Sequence, residues 1–212
     1  MSDSTYWDQK HSKYILDEWI DKPTIFAKQV IKYFPNGAKV LELGAGQGQD
    51  SRFFVENGFE VVSTDFSVKA LNLSKEKAQS KKIRYEVKEL DISKPFPFNN
   101  FSFDVVYVHL SLHFWSKKET ASILSEIARV IKKDGIFASL FNTIDDPEVK
   151  LSTKIEDNYY LTPSGIKKSF YTVDTVNAMT KDVFKLILLD ALGETHKDSI
   201  KSLIRFVGKR KS

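Results

Sequence analysis

The chain contains no cysteine. Without a thiol it can form no disulfide, no thiolate metal site and no covalent intermediate on a cysteine. It also lacks any uncharged run that approaches the roughly 20 residues needed to cross a bilayer. Its first residues show no basic stretch followed by an apolar one, the pattern of a secretory signal. We therefore expect a cytoplasmic protein that does not associate with a membrane.

Charge of one sign is not in large excess either, since the formal net charge is +4. The excess is concentrated from Thr195 onward, where Asp198 is the one acid. A surface that follows a phosphate backbone needs basic residues spread over the fold, so we interpret this segment as a solvated strand and tail, and nucleic acid as an unlikely partner. The basic residues of the segment are Lys197, Lys201, Arg205, Lys209, Arg210 and Lys211.

The pattern that is present is an alternation of apolar, β-branched runs with amphipathic segments, which predicts a parallel sheet covered by helices. The predicted parallel strands are Lys39–Leu43, Glu60–Asp65, Arg84–Lys88, Phe103–Val108 and Ile136–Phe141. The predicted helices between them are Asp50–Asn57, Val68–Ser80 and Lys117–Lys132. Towards the end, Val183–Asp190 and Ser202–Val207 predict an antiparallel pair at the sheet edge, since too few residues separate them for a helix.

Two regions lie outside this alternation. The first 35 or so residues predict two helices, one with Tyr6, Trp7, Tyr14, Ile15 and Trp19 on its apolar side and one around Thr24–Phe34. Residues Asn142–Phe170 predict an irregular excursion that is longer than an ordinary connection, which makes it a candidate lid or substrate loop. We expect both regions to cover the same end of the sheet.

A glycine-rich loop follows the first predicted strand, with glycines at 44, 46 and 48. Such a loop turns sharply and lets a ligand approach the backbone at the carboxyl edge of the sheet. A dinucleotide-binding loop would place its third glycine at 49, where the chain has Gln49, and its pyrophosphate would lie unfavourably near Glu42. An acid in front of the loop favours a cationic ligand.

Two more acids follow strand ends. Asp65 stands 21 residues beyond Gly44, where a carboxylate can accept from both hydroxyls of a ribose. Asp91 follows the third strand and can accept from an exocyclic adenine amine. Each acid has an alternative interpretation as a turn residue or helix N-cap, before Ser67 and Ser93 respectively. Jointly, they favour an adenosine derivative.

These features resemble the class I S-adenosylmethionine-dependent methyltransferases over about residues 38–207. The resemblance implies a Rossmann-like, mostly parallel seven-stranded sheet with helices on both faces and an antiparallel C-terminal edge strand. The stretch Val108–Phe114, with Tyr6-Trp7, is similar to the small-molecule and tellurite-resistance-like branch of that family. The matching segments are Glu42–Gly48, Asp65, Leu90–Ile92, Phe96–Val106 and Arg129–Gly135.

The resemblance further implies a single methyltransferase domain over residues 1–212, with S-adenosylmethionine as its cofactor. We expect a helical cap at 1–35, a cofactor-binding core at 36–142, a lid or substrate loop at 143–170, and a helix with an antiparallel strand pair at 171–212. The implied cofactor-binding residues are Glu42 near the amino group, Gly44, Ala45, Gly46 and Gly48 beside the methionine portion, Asp65 on the ribose, Phe66, Asp91 and Ile92 at the adenine, and His109 with Leu110 at the sulfonium.

Methyl transfer from a sulfonium is an in-line displacement with a neutral leaving group, so a base is needed only when the nucleophile must lose a proton. His109 and His113 are the candidate catalytic residues because their ordinary pKa lies near working pH. His113 has a structural alternative in a helical turn. The aromatic residues Tyr6, Trp7 and Tyr14 are candidate substrate residues that close the pocket and face the sulfonium, or else they pack only within their helix.

Several acceptors are disfavoured. Tyr107–Leu110 replaces the Asn/Asp-Pro-Pro-aromatic sequence found in enzymes that methylate the exocyclic amines of DNA bases, and the lack of cysteine excludes covalent pyrimidine chemistry. The predicted lid has no clustered His, Asp or Glu to hold a metal, so we expect no metal. A small-molecule acceptor and a monomer or homodimer remain. Two rival functions stay open, a non-catalytic adenosyl-binding protein and an NAD-dependent oxidoreductase, although the glycine spacing opposes the second.

Overall fold

A computed structural model describes residues 4–196 and 203–211 of the chain. Its α-helices, in chain order, are α1 (Ser4–Tyr14), α2 (Ile25–Val30), α3 (Gln49–Glu56), α4 (Val68–Ser80), α5 (Lys117–Val130), α6 (Pro147–Leu151) and α7 (Val173–Thr180). Its strands are β1 (Lys39–Leu43), β2 (Glu60–Asp65), β3 (Glu86–Glu89), β4 (Phe103–His109), β5 (Ile131–Asn142), β6 (Thr153–Glu156), β7 (Tyr159–Leu161), β8 (Lys167–Ser169), β9 (Phe184–Gly193) and β10 (Leu203–Arg210).

The main sheet has seven strands in the order β3-β2-β1-β4-β5-β10-β9. The first five strands pair in parallel, whereas β10 runs antiparallel to both β5 and β9. The central strands β1 and β4 are buried along almost their whole length because helices cover both faces, which explains their continuous apolar sequences. The predicted fold, a mostly parallel seven-stranded sheet with an antiparallel C-terminal edge, is confirmed.

Element boundaries agree with the sequence patterns in most of the core. The strands β1 and β2 and the helix α4 begin and end at the predicted residues. Helix α5 ends at Val130, two residues earlier than predicted, because Ile131 adopts extended backbone and starts β5 by pairing with Phe103. Strand β3 starts at Glu86 rather than Arg84. Polar caps explain two helix starts, since Ser67 accepts from the Ala70 amide and Ser116 forms a capping box with Glu119.

The excursion after β5 is more regular than predicted. It contains the short helix α6, which starts with Asp146 as its N-cap and Pro147 in its first turn. A small antiparallel sheet follows, in the order β6-β7-β8. The prediction of irregular structure over Asn142–Phe170 is therefore wrong. It failed because β6 is exposed along its length, so its sequence carries no alternation between buried and exposed positions.

The N-terminal region is helical, as predicted, but in more pieces. Helix α1 ends at Tyr14, so Ile15 lies beyond it and is 44% exposed, which contradicts its predicted place on an apolar side. Trp19 belongs to a separate 3-10 helix, Glu18–Asp21. The second predicted helix divides into α2 and a 3-10 turn, Ile31–Tyr33. Of the C-terminal residues singled out above, Lys197, Asp198, Lys201 and Ser202 lie outside the described residues.

Among residues 4–196 and 203–211, no helix combines the length and apolarity that a membrane span requires.

Candidate cofactor and acceptor site

A cavity of about 760 Å³ opens at the carboxyl ends of β1, β2 and β4. This is the edge of an open α/β sheet at which ligands bind, because the loops after parallel strands converge there. Its walls come from α1, the glycine loop, the segments after β2, β3 and β4, and the excursion that contains α6 and β8. Nine of the eleven predicted cofactor residues line it, namely Gly44, Ala45, Gly46, Asp65, Phe66, Asp91, Ile92, His109 and Leu110.

The glycine loop adopts the left-handed backbone that its sequence predicts. Gly44, Gly46 and Gly48 have φ values of 70°, 55° and 70°, which strain any residue with a Cβ. A Cβ at Gly44 would also overlap the hydroxyl of Ser111, which follows β4. The loop is tied to the neighbouring strand because the Ala45 amide donates to the Thr64 carbonyl at 2.8 Å. The backbone therefore lies close to the cavity with no side chain between.

Asp65 ends β2 and holds the glycine loop from the side. Its Oδ2 accepts from the Gly46 amide at 2.8 Å, and its Oδ1 accepts from the Ser67 amide at 2.8 Å. A carboxylate has about four acceptor positions, so two remain for a ligand. Asp65 can thus hold the turn through Ser67 and still accept hydrogen bonds from a ligand, so its two predicted roles are compatible.

Asp91 has a similar arrangement after β3. Its Oδ1 accepts from both the amide and the hydroxyl of Ser93, at 2.9 and 2.6 Å. Three apolar side chains, Phe66, Leu90 and Ile92, share this end of the cavity lining with it. A flat base between apolar walls with a carboxylate at its edge is a suitable environment for adenine.

Glu42 lies beneath the glycine loop and does not line the cavity. It is 3% exposed and accepts a short hydrogen bond from the hydroxyl of Ser51. Burial, reinforced by the nearby charge of Asp50, raises the pKa of Glu42 well above its usual value. Gly48 does not line the cavity either, because it faces Ser74 and Tyr85. Tyr6, a predicted substrate residue, is also absent from the lining.

Under the loop, Asp50 is the acceptor at the centre of a buried network. It accepts from the amide and hydroxyl of Thr24 at 2.7 and 2.8 Å, and from the hydroxyl of Tyr107 at 2.7 Å. Asp50 is 1% exposed, so these three bonds replace the water that it loses on folding. The network joins α2, α3 and β4 directly below the site and keeps the loop in place.

Helix α1 covers the cavity from the solvent side. The side-chain Nε2 of Gln47 donates to the backbone carbonyl of His11 at 3.0 Å, and the Ser67 hydroxyl donates to the Asp8 carboxylate at 2.5 Å. The ring of Trp7 on α1 makes an edge contact with the ring of Phe114, which belongs to the opposite wall. The predicted substrate residues Trp7 and Tyr14 line the cavity, together with His11. His11 was not predicted as a site residue, because a lone histidine on a polar helix gives no signal in a sequence.

Three buried polar atoms near the glycine loop have no hydrogen-bond partner in the described part of the chain. They are Gln47 Oε1, Gln49 Oε1 and His11 Nδ1, and all three side chains line the cavity. Buried polar atoms without partners are costly and therefore point to a ligand. These atoms lie at the loop, away from the adenine side at Asp91, so the cavity suits a ligand with a nucleoside at one end and a polar amino-acid group at the other.

A further wall of the cavity lies past β4. His113 is buried there and His109 is half-buried, and loss of solvation lowers the pKa of both, that of His113 by the larger amount. His109 Nε2 and His113 Nδ1 have no hydrogen-bond partner among the described residues. Lys168 on β8 contributes a charge, but its Nζ is 2.7 Å from Glu148 Oε2. The other walls are aromatic and include Trp7, Tyr14, Trp19, Phe114 and Trp115.

Metal ligands are not gathered at this site. Within residues 4–196 and 203–211, no group of three or more His, Cys, Asp or Glu side chains is placed to hold an ion.

Comparison with known proteins finds similarity to methyltransferases. Residues 41–139 match the family described as a methyltransferase domain. An uncharacterized methyltransferase of Synechocystis is 34% identical over 103 residues, which is 48% of this chain and 46% of the relative. The sarcosine/dimethylglycine N-methyltransferase of Aphanothece halophytica is 31% identical over 123 residues, or 56% of this chain and 43% of the relative. The chain spans less than half the length of these two relatives.

Solved structures share the fold over nearly the whole chain. A protein of Pyrococcus horikoshii has a TM-score of 0.75 at 22% identity and covers 94% of this chain and 99% of its own. A SAM-dependent methyltransferase of Methanosarcina mazei has a TM-score of 0.73 at 18% identity, with 86% and 97% covered. Residues 41–139 thus match a methyltransferase domain, and the fold of the whole chain is similar to that of solved S-adenosylmethionine-dependent methyltransferases.

Proposed function

We propose that this protein transfers the methyl group of S-adenosylmethionine to a small-molecule acceptor. The observation that carries the proposal is that one continuous cavity joins the glycine loop and Asp65 to an aromatic chamber containing His109 and His113. A methyl donor and an acceptor would therefore meet inside a single cavity. A shared cavity brings the two partners together and orients them, which speeds an in-line displacement.

The cofactor, when bound, supplies an electrophilic methyl group on a positively charged sulfur. The protein binds and aligns it. Asp65 and Asp91 accept from the nucleoside, while the glycine loop admits the chain of the amino acid without a clash. The faces of Trp7 and Tyr14 on α1 stabilise positive charge in the cavity through their π-systems.

His109 is the proposed base for acceptors that must lose a proton. It is half-buried at the end of β4, and its buried Nε2 has no partner among the described residues. Because burial lowers the pKa of His109, the neutral form that accepts a proton predominates at neutral pH. His113 lies in the same chamber with its ring 4.0 Å from that of Phe114, and we propose it as a second polar contact for the acceptor.

The size of the acceptor is inferred from the chamber and from two similar proteins. The Aphanothece halophytica relative is named for small amine acceptors, sarcosine and dimethylglycine. A Burkholderia thailandensis structure of the same fold, with a TM-score of 0.72 at 17% identity, is a 1,6-didemethyltoxoflavin-N1-methyltransferase. In this chain Glu148 neutralises Lys168, Asp146 adds a carboxylate to the same wall, and aromatic rings line much of the rest, which favours a small acceptor with both an apolar and a polar part.

The proposal is tested in two steps. The first is calorimetric titration of S-adenosylmethionine into the wild type, Asp65→Ala and the control Glu89→Gln. Glu89 pairs in register with Asp65 but is exposed and does not line the cavity. We expect Asp65→Ala to weaken binding by more than ~10-fold, since a hydrogen bond to a charged group is worth about 1.5–3 kcal/mol. The control should bind like the wild type.

The second step is turnover with a panel of small amine, thiol, hydroxyl and oxyanion acceptors, with His109→Asn as the variant. Product formation that is lost in His109→Asn, with cofactor affinity retained, supports the proposal. Cofactor binding without turnover of any acceptor would favour a non-catalytic adenosyl-binding protein. Tight binding of NADH in place of S-adenosylmethionine would overturn the proposal altogether.

A further inference from the structure

We propose that His11 of α1 binds the carboxylate of the amino-acid end of S-adenosylmethionine, while the side-chain carbonyls of Gln47 and Gln49 accept from its ammonium group. This inference rests on the proposed function and adds a binding residue that lies outside the matched domain, residues 41–139.

The position of the ring is the first argument. His11 Cε1 is 3.0 Å from the point at which a Cβ on Gly46 would stand, so the imidazole lies directly on the glycine loop. The backbone of His11 is held there as well, because its carbonyl accepts from Gln47 Nε2 at 3.0 Å. The side chain is 8% exposed, and its Nδ1 is buried without a partner in the described part of the chain.

The chemistry of the neighbouring atoms is the second argument. A zwitterionic amino acid needs one donor for its carboxylate and acceptors for its ammonium. Gln47 Oε1 and Gln49 Oε1 are buried acceptors without partners, and His11 adds a ring that donates in either tautomer. The three groups therefore provide both halves of the required set next to the loop.

Charge in the rest of the cavity is the third argument. Lys168 lines the cavity, but Glu148 neutralises it at 2.7 Å. Arg52 lies below the loop, where it donates to the Gln47 carbonyl and pairs with Asp21. Of the lining histidines, His109 and His113 follow β4 and His196 contacts the Pro23 carbonyl at 3.1 Å. Beside the loop, the Ser111 hydroxyl donates to the His109 carbonyl at 3.3 Å, whereas the ring of His11 has an unpartnered nitrogen in the described part of the chain and can offer a donor to an anion.

This contact ties the closure of α1 to an intact cofactor. A nucleoside without the amino-acid group would occupy the Asp65 and Asp91 end but leave His11, Gln47 and Gln49 without their partners. The helix would then keep its contacts through Asp8 and Trp7 but would gain no contact between His11 and the ligand. We therefore expect His11 to discriminate between ligands that have the same nucleoside and differ in the amino-acid end.

The test compares two ligands on three proteins by calorimetry. The ligands are S-adenosylhomocysteine and methylthioadenosine, which has the nucleoside and the sulfur but no amino acid. The proteins are the wild type, His11→Ala and the control Lys13→Ala, an exposed residue of the same helix. We expect His11→Ala to weaken S-adenosylhomocysteine binding by ~10-fold or more and to leave methylthioadenosine binding within about twofold. Lys13→Ala should change neither affinity.

A second variant, His11→Gln, keeps a neutral donor and should recover part of the lost affinity, which a merely structural role would not predict. An equal loss for both ligands would overturn the inference, since His11 would then only hold α1 in place. Unchanged binding of S-adenosylhomocysteine to His11→Ala would overturn it too. Absence of S-adenosylhomocysteine binding to the wild type would instead refute the proposed function.

Discussion

The rings of Trp7 and Phe114 meet edge to face, with their centroids 4.7 Å apart and their planes at 71°. Trp7 belongs to α1 and Phe114 to the 3-10 turn after β4, so the contact joins two walls of the cavity that are remote in sequence. Edge contacts between aromatic rings contribute about 0.5–1.5 kcal/mol beyond the area that they bury. The pair therefore helps to keep α1 closed over the site.

Disruption of this pair should speed the release of bound ligand. We expect Trp7→Ala and Phe114→Ala each to increase the dissociation rate of S-adenosylhomocysteine, because α1 then opens at a lower cost. The double variant should show less than the product of the two single effects, since both substitutions remove the same contact. Stopped-flow fluorescence measures these rates. Phe101→Ala, at an exposed position outside the cavity lining, is the control, and fully multiplicative effects would contradict the coupling.

The glycines at 48 and 37 allow a matched test of the packing around the loop. Both have positive φ, 70° and 66°, but a Cβ at Gly48 would overlap the Ser74 hydroxyl and stand 2.5 Å from Tyr85 Oη, whereas nothing lies within 4 Å at Gly37. We expect Gly37→Ala to cost about 1–2 kcal/mol through backbone strain alone. Gly48→Ala should cost about 1–3 kcal/mol more through overpacking.

Urea unfolding of the two alanine variants measures this difference. Addition of Ser74→Ala to Gly48→Ala should recover part of the lost stability by making room for the methyl group. Equal destabilisation at positions 48 and 37 would show that Ser74 and Tyr85 move aside without cost.

The buried histidine at 113 predicts a pH dependence of stability. Burial lowers the pKa of His113 well below its usual 6.5, and the charge of Lys168 lowers it further. The unfolded chain therefore binds more protons than the native protein once the pH falls below about 6.5. The stabilisation is complete above that pH and decreases as the pH falls towards the pKa of the folded state, by up to about 1.4 kcal/mol per pH unit for one histidine.

Urea unfolding at a series of pH values between about 8 and 5 gives the slope. His113→Phe should reduce the slope by the contribution of one histidine. Phe114→Leu alters the same wall without removing a titratable group, so it should lower stability at every pH and keep the slope of the wild type. A slope unaffected by His113→Phe would mean that His113 binds protons equally in the native and unfolded states, which would contradict the lowered pKa.

The core of the fold was predictable because its patterns are local. The short buried runs of β1 and β2 and the helical periodicity of α4 are clear enough to give their bounds at both ends. The convergence of Asp65 and Asp91 on one cavity was predictable as well, since the carboxyl ends of neighbouring parallel strands share one edge.

The cover of the site was not predictable in the same way. Helix α1 has mostly polar residues, and its position depends on contacts with distant residues, such as that of Asp8 with Ser67. The small sheet β6-β7-β8 is largely exposed, so burial imposes no pattern on its sequence. His11 and Lys168 line the cavity because α1 and the small sheet carry them there. No residue spacing in the sequence predicts a site role for either of them.

The walls of the proposed acceptor chamber come from the matched segment 41–139 and from the chain on both sides of it. Trp7, Tyr14 and Trp19 precede that segment, and Lys168 follows it. Exchange of the α6–β8 excursion would therefore alter the acceptor side of the cavity, whereas exchange of α1 would also remove His11 from the cofactor side. Two proteins can thus share the central segment and still methylate unrelated compounds, and the α6–β8 excursion is the natural unit for redesign.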